Sequence, residues 1–391
     1  MKDKILFMII NMNIGGTEKA LLNMISTMDK NKYDVTILML EKKGGFLKFI
    51  PEHVNIKYVQ GYSTIKPLLN NPPLESAMKL LRKGKVLKTI NFILFHILAK
   101  VIKNRTIIFN YLAKDIEKLN IKYDTAIAYA GPMDFISYFI LKKTSATRKI
   151  QWVHFDVNKV GFNCDLAKKL YKSFDNIFVV SEEAKKKLID KIPSIRRRTE
   201  VKYNKVSPSI VEKQSNIGKG FEDIYNGVRI LTVGRLSPEK GHDVSINVLS
   251  RLIKEGHVIK WFVLGEGKSR AEYESRIKKL NLDKNFILLG ADPNPYTYMK
   301  QCDIYVQPSR YEGYCITLLE AKVLNKPIIA TSVNGVKEQL TSGVNGLIVN
   351  VDEDDLYKAV KKLVIDRELR EKLSLNLINE KAKLNDKKVV I

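Results

Sequence analysis

The stretch Ile304–Ala330, IYVQPSRYEGYCITLLEAKVLNKPIIA, decides how the rest of the chain is read. Ile304–Gln307 is a mainly apolar run that stops at Pro308 and Ser309. A loop follows, Thr317–Leu324 has helical composition, and Pro327–Ala330 is a second apolar run. That order is the strand, loop, helix, strand unit of a parallel sheet. The unit carries two carboxylates, Glu312 in the loop and Glu320 in the helix. Gly313, beside the first, lets backbone amides come close to a ligand, and the helix N-terminus beyond it favours negative charge. Such a unit suits a phosphorylated, hydroxyl-rich ligand.

Working outward, 391 residues exceed one ordinary core, so two domains of roughly 200 residues each are expected. Apolar residues make up 45% of the chain and no heptad array or short-period repeat is evident, which excludes disordered and solenoid classes. Sixty-seven basic against 42 acidic side chains leave a net charge of +25, which points to a polyanionic partner, nucleic acid or an anionic membrane leaflet. Cys164, Cys302 and Cys315 match no metal-ligand spacing and read as reduced thiols. The N-terminal MKDKILFMIINMN has only a short apolar run and no small-residue cleavage site, so a signal peptide is not expected and a cytoplasmic location is.

In the N-terminal half, Lys4–Ile10 reads as a strand and Gly15–Met28 as a helix, with the glycine loop Asn13-Ile14-Gly15-Gly16-Thr17 between them. Free amides at that helix start face a diphosphate or simply close a tight turn. Val35–Leu40, Thr125–Tyr129 and Lys149–Val153 read as further strands of a doubly wound sheet. The last delivers His154 to the carboxyl edge of the sheet, where ligands bind in such folds, although a lone histidine is more often structural. Asn176–Ser181 is a strand leading into a helix capped by Ser181. Residues 78–119 hold ten Lys or Arg against two acids around the apolar core VLKTINFILFHILAKVI, residues 86–102. Lys88, His96 and Lys100 interrupt that core, which is shorter than the roughly 20 residues that cross a bilayer. It reads as a helix lying on an anionic membrane surface, aided by the basic cluster within 185–198, or else as an ordinary core helix with solvated lysines.

Residues 205–227, rich in Asn, Ser, Pro and Gly, read as the linker between an N-terminal domain, 1–204, and a C-terminal domain, 228–375. Residues 376–391 read as a C-terminal tail. Val228–Val233 opens the second domain and is followed by GRLSPEKG, in which Arg235 supplies a planar fork and Lys240 a compact charge for phosphate oxygens. Lys260–Leu264 ends in Gly265-Glu266-Gly267, and Asn285–Leu289 ends at Gly290, ahead of Asp292-Pro293-Asn294-Pro295. The acidic run Asp352–Asp355 reads as a helix cap rather than a metal site, and no metal is expected.

The glycine loop, GRLSPEKG and EGYCITLLE together resemble the retaining glycosyltransferases of family 4, of the kind that build bacterial cell-surface polysaccharides; the likeness is strongest over residues 228–350. The resemblance implies an α/β fold of the GT-B type, two Rossmann-like domains facing across a cleft, with a nucleotide sugar, UDP-linked by preference, on the second domain. It implies that Arg235 and Lys240 hold the donor diphosphate, Glu320 the ribose hydroxyls and Glu312 the donor sugar. Amides around Gly313, Tyr314, Cys315 and Ile316 would contact sugar or phosphate, Gly15 and Gly16 would approach the phosphates, and the Gly290 loop would lie beside the nucleobase. His154 matches the family's active-site histidine, and Asn204 falls near the hinge. Cys315 departs from the family's usual glycine.

The function that follows is sugar transfer to a membrane-associated acceptor, a lipid-linked saccharide or polysaccharide precursor, by a peripheral enzyme on the inner membrane face that needs no cofactor. An epimerase or phosphorylase of the same fold is the alternative. Nucleic-acid binding accounts for the charge but finds no recognition motif and leaves the glutamates unexplained, so nucleic acid is not expected as a partner.

Overall fold

The computed structural model describes residues 2–131 and 133–386. Contacts divide the chain into two compact units: Met1–Asn13 with Met28–Lys202, and Ile14–Thr27 with Tyr203–Ile391. The segment carrying the glycine pair and the first helix, Gly16–Thr27, is thus counted with the second unit.

The first unit is built on seven strands, β1 (Asp3–Ile9), β2 (Tyr33–Met39), β3 (Asn55–Tyr58), β4 (Lys122–Gly131), β5 (Ser145–Val153), β6 (Asn176–Val179) and β7 (Thr199–Val201). They pair in parallel in the order β3-β2-β1-β4-β5-β6-β7. Phe7, Met8, Ile37, Leu38, Ala126, Ala128 and Val153 are buried, the near-continuous apolar reading of strands covered on both faces. The chain leaves β1 toward one edge and returns at β4 on its other side, which makes the crevice past β1 and β4 a topological switch point. Between β3 and β4 run the helices Tyr62–Asn70, Pro73–Arg82, Val86–Val101 and Thr106–Leu112. The expected interfacial segment is therefore several helices, with the apolar core as one of them.

The second unit has six parallel strands, β8 (Val228–Val233), β9 (Ile259–Leu264), β10 (Phe286–Gly290), β11 (Ile304–Gln307), β12 (Ile328–Thr331) and β13 (Leu347–Val349), in the order β10-β9-β8-β11-β12-β13. Its switch point lies past β8 and β11, the strands that precede GRLSPEKG and the Glu312 loop. One core joins Ile230, Trp261, Ile304 and Ile329 to Ile246, Leu249, Leu356 and Leu363; on the other face Leu231, Phe262, Tyr305 and Ala330 pack with Leu318, Tyr296 and Leu377. The expected linker contains a helix, Pro208–Gln214. Arg367–Asp386 is a single 20-residue helix; Leu373 and Leu377 are buried, and Lys322 bridges to Glu380 at 2.9 Å. The remainder of the expected tail, 387–391, lies outside the described residues. Asp352 caps the helix Glu353–Ile365 by accepting from the Asp354 and Asp355 amides, and Ser181 caps Glu182–Lys191 in the same way through Ala184. All three cysteines are free. No helix among the described residues is long and apolar enough to cross a membrane.

Candidate functional site

In the second unit the two switch-point loops are tied together by charge. Lys240 Nζ donates to Glu312 Oε1 at 2.6 Å, and both side chains are mostly buried. Burial, the largest single effect, pushes the Lys240 ammonium down, but Glu312 and Cys315 together push it up and the net shift is upward. Glu312 Oε1 also accepts from Ser309 Oγ at 2.7 Å and from Gln307 Nε2 at 3.3 Å. Gln307 in turn is fixed by the Tyr305 hydroxyl at 2.7 Å and the Thr317 hydroxyl at 3.1 Å. The carboxylate is therefore aimed by a network that begins inside β11. Arg310 extends the tie: its guanidinium forks onto Asp243 at 2.6 and 2.8 Å, and its amide donates to the Glu239 carbonyl.

The loops approach so closely that their backbones are constrained. Gly241 sits at φ +70°, and a Cβ there would lie 2.0 Å from the Pro308 carbonyl oxygen; only glycine meets both conditions. His242 follows, fully buried, with Nε2 2.8 Å from the Arg235 carbonyl oxygen. Burial holds its imidazole neutral, down to about 4. Arg235 itself is the exposed member, 59% accessible, with its guanidinium 3.1 Å from Glu239. The site thus offers one cation fixed by Glu312 and one held more loosely, in a surface ion pair.

Glu320 is 2% exposed on the helix Ile316–Val323 and accepts from the Tyr296 hydroxyl at 2.7 Å. Burial pushes its carboxyl up, while Lys19 and Tyr296 oppose that rise. Lys19 belongs to the helix Gly16–Thr27, and its Nζ stands 4.8 Å from the centroid of the Tyr296 ring. Gly16 has open space where a side chain would go, whereas Gly15 lies under the carboxylate of Glu18. Gly313 and Cys315 are buried. Cys315 precedes the helix that Ile316 begins; burial pushes its thiol up to about 12, and Sγ rests 3.2 Å from the Thr317 hydroxyl. Tyr314 packs against Tyr203, ring centroids 5.8 Å apart, and against Gly335. Gly290, at φ +85°, passes its carbonyl to the Gly265 amide, and Asn294 in the following loop bonds the Gln214 and Ile217 carbonyls. Arg235, Lys240, Glu312 and Glu320, with the loop from Gly313 to Ile316, accordingly share the carboxyl-edge loops and the helix that follows β11. Sequence reading missed Gln307, Ser309, Arg310, Tyr296, Glu18 and Lys19; polar residues ending a buried strand, as in Gln307-Pro308-Ser309, were the available signal.

His154 lies in the first unit, directly after β5, 6% exposed. Its ring stacks on Trp152 at 5.7 Å and meets Tyr129 at 4.4 Å. Burial pushes the imidazole down to about 3, with the Tyr129 backbone opposing that fall. In the same unit Thr89, Phe92 and Ala99 form the buried seam of the helix Val86–Val101. Val86, Leu87, Ile90, Ile97 and Val101 are exposed, Leu87 at 79% and Val101 at 74%. With Leu74, Met78 and Leu81 of the helix before it, this is a broad apolar surface. In the second basic cluster Lys187 is engaged by Asp156 and Glu183, and Arg198 by the Lys172 and Phe174 carbonyls; Lys186, Arg196 and Arg197 remain exposed. Among the described residues no cluster of His, Cys, Asp and Glu could hold a metal ion.

Residues 224–379 match the family described as Glycosyl transferases group 1. The chain is 29% identical, over 71% of its length and 77% of the relative's, to the N-acetylgalactosamine-N,N'-diacetylbacillosaminyl-diphospho-undecaprenol 4-alpha-N-acetylgalactosaminyltransferase of Campylobacter jejuni. It spans about half, 53%, of the uncharacterized glycosyltransferase MJ1059 of Methanocaldococcus jannaschii, also at 29% identity and over 53% of this chain. In structure it resembles Anabaena HepE crystallised with UDP-glucose, with a TM-score of 0.66 at 18% identity, over 96% of this chain and 93% of that one. The chain is a glycosyltransferase of the hexosyltransferase class with the GT-B fold, and its residues 224–379 are similar to the group 1, family 4 enzymes, which use nucleotide sugars.

Proposed function

We propose that the enzyme transfers a sugar, with retention at the anomeric carbon, from a UDP-linked donor to a hydroxyl of a membrane-associated acceptor, a lipid-linked saccharide or polysaccharide precursor. The observation that carries the donor half is the Lys240–Glu312 pair at the switch point, with Arg235 on the same loop as Lys240. As the glycosidic bond to the diphosphate breaks, negative charge grows on the leaving oxygens. Lys240 and Arg235 are fixed or nearby cations that stabilise it without reorganising water. Glu312, whose Oε1 already binds Lys240, turns toward the sugar hydroxyls, and Glu320 accepts from the ribose. Amides from Gly313 to Ile316 complete the cradle at a helix N-terminus, Gly15 and Gly16 let the phosphates approach, and the Gly290 loop borders the base. His154, neutral at physiological pH, accepts or donates a hydrogen bond near the transferred sugar. No protein nucleophile is assigned. The chemistry runs on these side chains, so turnover is expected to survive a chelator.

The acceptor half draws support from two observations. The Campylobacter relative's name specifies a diphospho-undecaprenol-borne saccharide, and the helix Val86–Val101 exposes a broad apolar face with Lys85, Lys88, Lys100 and Lys103 beside it. The protein then works as a peripheral enzyme on the cytoplasmic leaflet. The test has two parts. A thermal-shift panel of nucleotide sugars should show stabilisation by a UDP-sugar, since a ligand that binds only the folded state raises its stability. Flotation with anionic and neutral vesicles should show binding that anionic lipid strengthens and salt weakens. No stabilisation by any donor would refute the donor assignment, and no flotation with either lipid the membrane one.

A further inference from the structure

The first turn of the helix Gly16–Thr27 carries two adjacent charges, Glu18 and Lys19, to which the donor reading gives no role. Glu18 folds back over Gly15, so that a Cβ on Gly15 would meet its Oε2 at 2.6 Å. Its carboxylate therefore lies at the N-terminus of its own helix. Its own backbone amide and Arg235 both favour the ionised form there, while burial, the larger effect, raises it to about 7. A helix N-terminus with an arginine beside it is the setting that binds a phosphate group. In the donor-free protein that setting is filled from within. Lys19 stands over the Tyr296 ring at 4.8 Å, and Tyr296 donates to Glu320 at 2.7 Å. Glu320 and Lys19 are each other's charge compensation: each opposes the shift that burial imposes on the other.

We propose that Glu18 and Lys19 are donor-site residues of opposite effect, Glu18 standing in for the donor diphosphate at the start of its own helix until the donor expels it, and Lys19 supplying the cation that steadies Glu320 as it accepts the ribose hydroxyls. The proposal rests on the donor roles given above to Arg235 and Glu320. A diphosphate that arrives at the same amides and the same guanidinium meets a like charge, and like charges placed together on binding are costly. Lys19 imposes no such conflict, because a cation beside a buried carboxylate is needed whether or not the ribose is present. Being neighbours in sequence, the two residues make the same helical turn both the gate and the support of the donor pocket.

Titration calorimetry at pH 8, where Glu18 is ionised, tests this with UDP-glucose, GDP-mannose and ADP-glucose as probes. Glu18→Gln and Glu18→Ala should bind the probe that wild type accepts roughly tenfold more tightly, and Lys19→Met roughly tenfold more weakly. Lys19→Arg should restore affinity. Uridine, guanosine and adenosine, which carry no phosphate, should bind Glu18→Gln no better than wild type, a distinction that a merely structural role would not produce. Circular dichroism melts establish that each variant is folded. Unchanged or weakened binding in both Glu18 variants, with wild type binding a probe normally, overturns the proposal and leaves the donor reading standing. Binding of no probe by wild type or any variant overturns both, whereas binding only after Glu18 is replaced supports the plug.

Discussion

Each unit buries a histidine in the region that follows a central strand, and the two are held in different ways. His242, in the second unit, is tied by Nε2 to the Arg235 carbonyl and so helps shape the loop that carries both candidate phosphate-binding cations. His154, in the first, is held chiefly by rings, stacked on Trp152 and against Tyr129. The same contrast runs through the surroundings. The second unit's switch point is organised by ion pairs and a hydrogen-bond chain from Tyr305 through Gln307 and Ser309 to Glu312. The first unit's distinctive surface is apolar, the exposed face of Val86–Val101. A charge network fixes directions and suits a ligand whose oxygens must be placed. An apolar face has no directionality and suits a partner such as a bilayer, recognised by area.

The comparison breaks first at Lys240. Lys240→Met leaves the Glu312 carboxylate largely buried without its cation, so folding stability should fall by about 3 kcal/mol in a urea melt, and turnover should be lost. Adding Glu312→Leu should return most of the stability and none of the turnover. Recovery of turnover in the double variant would show that the pair is structural.

A smaller effect sharpens the contrast between the histidines. Both folded-state pKa values, about 3 for His154 and about 4 for His242, lie below the ordinary 6.5. Below pH 6.5 the unfolded chain therefore binds more protons than the folded one. The stability each neutral ring contributes is complete above 6.5. It is lost as pH falls, down to about 4 for His242 and about 3 for His154. The slope should approach about 1.4 kcal/mol per pH unit for each histidine. His154→Phe should remove one such share between pH 6 and 4, read from melting curves; an unaltered slope would mean that His154 is not held neutral.

Much of this was legible in the sequence where local pattern and tertiary role coincide. The strands Val228–Val233 and Ile304–Gln307 were read at the boundaries the structure gives, because each is a buried run closed by glycine or proline. The edge strands β3 and β7 were not read, since Asn55–Tyr58 and Thr199–Val201 are short and polar and form strands only against a neighbour. Arg235, Lys240 and the two glutamates stood out by motif. The residues that aim them did not, because Gln307, Arg310 and Tyr296 meet their partners only after folding. Least visible was the allegiance of Gly16–Thr27, which follows β1 in the chain yet packs with the second unit; nothing local in GTEKALLNMIST encodes that choice.

The central claim is that the loops past β8 and β11 hold the diphosphate of the donor. Arg235 tests it most directly, because its side chain is 59% exposed and its hydrogen bond among the described residues is to Glu239 across one turn, so that its removal should leave the fold intact. Donor affinity of Arg235→Ala should be measured by calorimetry beside its melting temperature. The account predicts an unchanged melting temperature and a loss of roughly 10- to 100-fold in affinity, the value of a hydrogen bond to a charged group. Wild-type donor affinity in Arg235→Ala would contradict it.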